Sequence, residues 1–331
     1  MTDGHAQPSE VRGAPLTALL VGTGGGIAKS ADAPRRNGPA VVVTTDGATI
    51  LFDTGRNVLD GLFRVGIEPA SITHLVFTHY HSDHTVGLPD LVLSTWVATG
   101  RSRWRIFGPP GARHLWHGLF GETGAFRPDI DARVQGAHSR QLFFQRLGMP
   151  LVPPDADIIE IPSDGFVVDE PGWRLEASFA PDHVQPHLIS VAYRVTTPAG
   201  SVVVTGDTGP SEAIARFARG ADLLVHDCTI PSRDGTYERG GIHTDPEGLG
   251  RVAAAAGVKA VVGTHVTPAR DRPEVLDRYP ELVARSFAGT FRMAVDGLAI
   301  SVSPDGLRLE APGRLGRVAE PGAHRRGEGA P

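Results

Sequence analysis

The feature that most restricts this chain is the run Thr78-His79-Tyr80-His81-Ser82-Asp83-His84, which directly follows the apolar stretch Leu75-Val76-Phe77. Residues two apart on an extended backbone point the same way, so His79 and His81 can face one metal ion from one side. Asp83 and His84 fall where the chain turns into the next helix, and their adjacent side chains diverge toward a second ion. Imidazole and carboxylate donors without a thiolate suit zinc, and also iron or manganese. Three histidines and an aspartate within six residues at a strand end exceed what a polar surface loop needs.

Two ions need further donors, expected at other strand ends. Asp207 follows Val202-Val203-Val204-Thr205-Gly206, and His265 follows Val261-Val262-Gly263-Thr264. His183 ends Ala180-Pro181-Asp182-His183, and His187 competes with it from four residues on. Any one of these, taken alone, reads equally well as a hydrogen-bonded structural residue. Together with the cluster they supply the number of donors that two sites require.

The chain has 331 residues, 40% of them hydrophobic and 21% charged. A chain of this length buries a core without disulfides or a structural metal, so a bound metal serves chemistry. Short apolar runs alternate with helical ones. Strands are expected at residues 16–21, 40–44, 48–52, 74–78 and 103–107, then at 188–195, 201–205, 223–226, 260–263, 291–295 and 298–302. Helices are expected at 57–65, 91–98, 212–218, 246–256 and 273–286, with helical pieces around Leu115 and Leu142. Hairpins open each half before strands alternate with helices, which predicts an α/β fold, two sheets between helices in an αββα sandwich. The domain is expected to span residues 16–311, between a loose N-terminus (1–15) and a disordered tail (312–331).

These motifs resemble the metallo-β-lactamase superfamily, defined by His-x-His-x-Asp-His, and within it the ribonuclease Z and arylsulfatase-like branch. The branch features are Gly22-Thr23-Gly24, Phe52-Asp53-Thr54-Gly55, Ala192-Tyr193-Arg194, Thr205-Gly206-Asp207-Thr208, Val225-His226-Asp227-Cys228-Thr229, His243-Thr244 and Thr264-His265. They stand in the family's order over about residues 16 to 305. The resemblance implies two Zn2+ ions, with Mn2+ or Fe as substitutes. His79, His81 and His183 would bind the first, Asp83, His84 and His265 the second, and Asp207 would bridge them. A metal-activated hydroxide would attack an ester, with Asp83 doubling as a base that orients the water. Asp53 would tie a ligand loop in place; its other reading is a turn residue before Gly55.

His243 precedes a helix that Pro246 begins and that Thr244 or Asp245 caps, a place suited to an anionic group. In ribonuclease Z the matching histidine contacts the scissile phosphate or assists the leaving group, so His243 joins Asp83 as a catalytic candidate. His226, with Asp227, is expected to support it. The chain departs from the family pattern there, with Asp227 for Glu and Cys228 for Ala. The leading substrate is a small phosphodiester; an aryl sulfate or a lactone is the alternative, and a transfer RNA 3′ endonuclease or a non-catalytic scaffold ranks lower.

The net charge is −5 and the only lysines are Lys29 and Lys259, which is no nucleic-acid footprint. Ribonuclease Z proteins commonly insert a long RNA-gripping arm between the Tyr-Arg and Gly-Asp-Thr strands. Here Thr196-Thr197-Pro198-Ala199-Gly200 leaves room for a turn only. Both points argue for a small-molecule partner over nucleic acid, although Arg101, Arg103 and Arg105 could form a local basic edge. Cys228 is the single cysteine, which suits a reducing cytoplasm. No apolar stretch reads as a membrane span, and a homodimer stays open. The glycine run Gly22–Gly26 lacks the Lys-Ser/Thr of a P-loop. Trp104, Trp116, Phe120, Phe143 and Phe144 either line an apolar pocket or pack.

Overall fold

Ala40-Val41-Val42-Val43 places apolar side chains on both faces of one strand, an arrangement that needs cover on both sides. The computed structural model provides that cover, and it describes residues 14–26, 36–136, 138–183, 185–230 and 242–310. The expected tail at 312–331, and the loose N-terminus except for Ala14 and Pro15, lie outside the described residues.

The first sheet contains β1 (Leu16–Gly22), β2 (Ala40–Thr45), β3 (Ala48–Phe52), β4 (His74–Val76), β5 (Arg103–Gly108), β6 (Asp155–Glu160), β14 (Leu298–Ser303) and β15 (Gly306–Glu310), in the order β15-β14-β1-β2-β3-β4-β5-β6. The second holds β7 (Val167–Glu170), β8 (Trp173–Ser178), β9 (Ala192–Thr197), β10 (Gly200–Val204), β11 (Leu223–Asp227), β12 (Ala260–Thr264) and β13 (Thr290–Met293), ordered β13-β12-β11-β10-β9-β8-β7. Val41 and Val43 join Phe52, Tyr193, Val202 and Val225 in a core between the sheets. Val42 points the other way, onto helices Val58–Arg64 and Leu88–Thr99 through Leu62, Leu91 and Trp96. Val203, Leu224 and Val261 meet helices Pro246–Ala256 and Tyr279–Ala284 on the outer side of the second sheet. This is the expected four-layer sandwich.

In each sheet, β3 to β6 and β10 to β13 run parallel, so their C-terminal ends open on one edge. The sheets are fastened to each other at that edge. Tyr193 Oη donates to the Phe77 carbonyl at 2.7 Å, and Val191 N donates to the Thr78 carbonyl at 2.9 Å.

Several elements differ from expectation. Strands β6, β7 and β8 occupy a stretch in which the sequence predicts only helices, and β15 follows the last expected strand. β9 starts at Ala192 rather than Leu188, because Pro186 and His187 (φ +64°) turn the chain before it can join a ladder. The helix expected over 273–286 is two, Pro273–Leu276 and Tyr279–Ala284; Pro280 cannot donate back into the preceding turn. Trp104, Trp116, Phe120 and Phe144 are buried packing residues, and only Phe143 is exposed. No helix among the described residues is long and apolar enough to cross a membrane.

His74, at the head of β4, is packed edge-on against Trp173 with ring centroids 5.0 Å apart. Its Nε2 accepts from Arg105 Nη1 at 3.3 Å, and burial with Arg105 beside it lowers its pKa to about 4. The unfolded chain therefore takes up this proton first, so the contribution of His74 is complete above about pH 6.5 and fades as pH falls toward 4. Chemical denaturation at pH 7 and pH 5 should show His74→Gln losing roughly 1–2 kcal/mol less stability over this interval than the parent. Equal losses would remove His74 from the account.

Candidate metal centre

The candidate donors gather at that common edge, on loops, on the short helix Ser82–Thr85 and at the end of β11. β4 runs into His79, His81, Asp83 and His84; β10 into Asp207; β11 ends at Asp227; β12 runs into His265. Gly206, at φ +64°, turns the chain just before Asp207 and packs its α-carbon against Thr78, where a side chain would clash. Three groups of donor atoms converge: His79, His81, His183 and Asp207; Asp83, His84 and His265; and Asp207, Asp227, His243 and His265. His183 joins the cluster, whereas His187 is exposed and stays outside it.

The rings of His79, His84, His183 and His265 are held at Nδ1 with Nε2 turned inward, whereas His81 turns Nδ1 itself toward His79 Nε2 at 3.1 Å. His84 Nδ1 donates to Asp53 Oδ2 at 2.9 Å, and His183 Nδ1 to the Ile242 carbonyl at 2.9 Å. His79 Nδ1 lies 3.0 Å from Thr78 Oγ1, whose hydrogen goes to Asp53 Oδ2. Asp53 Oδ1 also accepts Thr78 N at 2.8 Å. Asp53 thus joins the strand end and one imidazole by hydrogen bonds. Its own backbone is left-handed, φ +58°, as is that of His265, φ +65°. Conformations of this kind in non-glycine residues cost energy and gather at functional sites.

The inward atoms suit a cation. His84 Nε2 and His265 Nε2 face each other at 3.3 Å, while the Nδ1 of each is taken up behind the site, by Asp53 and by Thr229. Asp207 Oδ1 lies 3.3 Å from each of these nitrogens and accepts no hydrogen bond, while Asp207 Oδ2 turns toward His79 Nε2 at 3.8 Å. One buried carboxylate therefore offers an oxygen to each side. Burial holds His79 well below the ordinary imidazole range and lowers His183, which favours the neutral, coordinating form of both. His84 is also buried, but Asp207 and Asp53 outweigh that and raise it, so a proton stands where a metal cation would serve better. Burial opposes the charge on Asp83 and Asp207, yet the surrounding imidazoles hold both carboxyls down. The donor set fits divalent zinc, manganese or iron.

His243 stacks on His265, ring centroids 5.4 Å apart, and its Nδ1 donates to Asp227 Oδ2 at 2.7 Å. Burial would lower its pKa, but Asp227 prevails and raises it to about 9. The supporting group is Asp227 itself. His226 instead turns Nδ1 to the Asp227 carbonyl at 2.8 Å and leaves a buried Nε2 without a partner. Asp227 Oδ1 accepts the Thr229 hydroxyl at 2.5 Å, and Thr229 Oγ1 takes the Nδ1 hydrogen of His265 at 2.8 Å. One carboxylate so orients both His243 and His265. Asp245 caps the following helix, accepting Gly248 N at 2.6 Å. The three arginines expected as a basic edge are occupied in part: Arg101 stacks on Trp104 and Arg105 pairs with Glu170.

This fold and this clustering of imidazole and carboxylate donors define a metal-dependent hydrolase acting on ester bonds. The chain belongs to the metallo-β-lactamase superfamily, whose family model matches residues 33–265. It is 33% identical over 291 residues to a ribonuclease Z of Mycobacterium avium, covering 85% of this chain and 96% of that one. The metallo-β-lactamase fold protein YhfI of Bacillus subtilis superposes with a TM-score of 0.62 at 20% identity, over 87% of this chain and 99% of that one. The short form of human tRNase Z does so with 0.57 at 19% identity, over 86% and 99%.

Substituting Asp53→Asn keeps the left-handed backbone, which Asn tolerates, but removes the charge that orients His84. Divalent-metal affinity should fall roughly 10-fold or more, the scale seen for such supporting groups. Competition against a chelator measures it; parent-like affinity would show that Asp53 acts only as a turn residue.

Proposed function

We propose that the protein is a binuclear metal phosphodiesterase, with zinc as the resident ion and a small phosphodiester as substrate. His79, His81 and His183 would hold one ion and Asp83, His84 and His265 the other, with Asp207 shared between the two sets. Bound there, the ions supply a water acidified toward neutrality and positive charge against the developing oxyanion. The observation that carries the reading is the His243–Asp227 pair beside this centre. Asp227 holds Nδ1, so Nε2 of His243 is the atom free to give a proton to the leaving oxygen. Asp83, kept as a carboxylate, orients the attacking water and takes its proton. A leaving group that departs as an alkoxide needs that acid more than an aryl sulfate does, which favours the phosphodiester.

Cleavage of an RNA is a second reading, favoured by the name of the Mycobacterium avium relative. Against it stands the turn at Pro198 and Ala199, which joins β9 to β10 with Thr197 paired to Gly200 and leaves no inserted arm. Metal-loaded protein offered a precursor transfer RNA and bis(p-nitrophenyl) phosphate side by side decides between them. Hydrolysis of the small diester alone is expected; accurate, salt-sensitive 3′ cleavage of the RNA would establish the second reading.

Two variants test the assignment of roles. Asp207→Ala should lose most of both ions by elemental analysis, and one ion surviving at full occupancy would refute the bridge. His243→Ala should keep its metal and lower turnover of a diester with an alkyl leaving group roughly 100-fold, the scale of general acid help. Unchanged turnover would return His243 to the capping loop, and loss of metal would make it a ligand.

A further inference from the structure

The glycine run Gly22–Gly26 and Arg56 have no part in the chemistry above, yet both touch the Asp83–His265 side of the centre. Gly26 N donates to Asp83 Oδ2 at 2.7 Å, the same oxygen that lies 3.2 Å from His265 Nε2. The Gly26 carbonyl accepts Arg56 Nη1 at 2.6 Å. Arg56 thus grips the residue whose N–H aims at the carboxylate. Gly25 lies flat against the His265 imidazole: a β-carbon there would stand 2.3 Å from Nδ1 and 2.4 Å from Cε1.

The strap cannot retreat to make room. Gly24 N donates to the Asn37 carbonyl at 2.8 Å, Gly25 N to the Val266 carbonyl at 3.0 Å, and Val266 N returns to the Thr23 carbonyl at 2.8 Å. Gly24 is itself enclosed by Arg36, Asn37 and Arg56. The His265 ring would have to yield instead, and with it the bond from its Nδ1 to Thr229. No contact of this strap reaches His79, His81 or His183 among the described residues.

We propose that Arg56 and the strap Gly24–Gly26 are positioning elements for one half of the centre, aiming Asp83 and seating His265, and so set the occupancy of the second ion independently of the first. The proposal rests on the two-ion reading given above. It assigns the run a role other than phosphate binding: the Gly26 N–H that could cradle an anion is already committed to Asp83.

The experiment is metal stoichiometry in zinc buffers of defined free concentration, on full-length parent, Gly25→Ala, Arg56→Gln and Arg56→Lys, with circular dichroism to monitor the fold. The parent should bind two ions. Gly25→Ala should bind one. Arg56→Gln should weaken one ion roughly 10–100-fold and leave the other at parent affinity, with Arg56→Lys recovering part of the loss because an ammonium can still reach the Gly26 carbonyl. Should Gly25→Ala fail to fold, the two Arg56 variants decide the matter. Two ions at parent affinity in Arg56→Gln, or equal weakening of both, overturns the proposal. A parent that binds fewer than two ions overturns the two-ion reading, and this inference with it.

Discussion

Asp83, Asp207 and Asp227 lie buried in one small volume, and the rest of the site answers to the cost of keeping three carboxylates out of water. A buried charge is tolerated only when paired or bound to a metal. The protein meets that demand with imidazoles: His84 and His265 face Asp207, His265 faces Asp83, and His243 sits on Asp227. The imidazoles in turn need fixed tautomers. Asp53, Thr229 and the Ile242 carbonyl provide them from the layer behind. A metal-binding pocket is thus a problem in charge balance solved two layers deep.

Much of this was legible in the sequence because the chemistry is local. His79, His81, Asp83 and His84 are neighbours in the chain, and an apolar run beside them marks the strand. The doubly apolar pattern of a strand covered on both faces, such as Ala40–Thr45, likewise exposes the layered fold. What escaped reading is what depends on approach between distant segments. The role of Asp227 in place of His226 turns on which side chain of β11 faces the site. Thr229 stands within a quoted motif, but its bond to His265 spans 36 residues. Strands β6 and β7 are edge strands with polar or partly exposed faces, and β8 beside β7 is exposed in part, so period and hydrophobicity are weak there. Arg56 has no local signature at all.

A supporting carboxylate and a candidate metal ligand share one device. Asp53 and His265 hold left-handed backbone conformations although neither is glycine. Around Asp53 the constraint comes from Thr78 and His84, and around His265 from Thr229 and the pinned segment Thr23–Gly25. Local discomfort is held in place by the wider hydrogen-bond network, which makes the geometry rigid before any ligand arrives.

The placement of the donors beyond the ends of a few neighbouring strands has a consequence for descent. The strands are locked by three apolar cores and a shared seam, so the positions of the donors are inherited with the sandwich. The loops beyond them are free to lengthen, shorten or exchange sequence. A lineage can therefore drift from one ester to another by remodelling what surrounds the reacting atoms, while the atoms that hold the metals stay where they were.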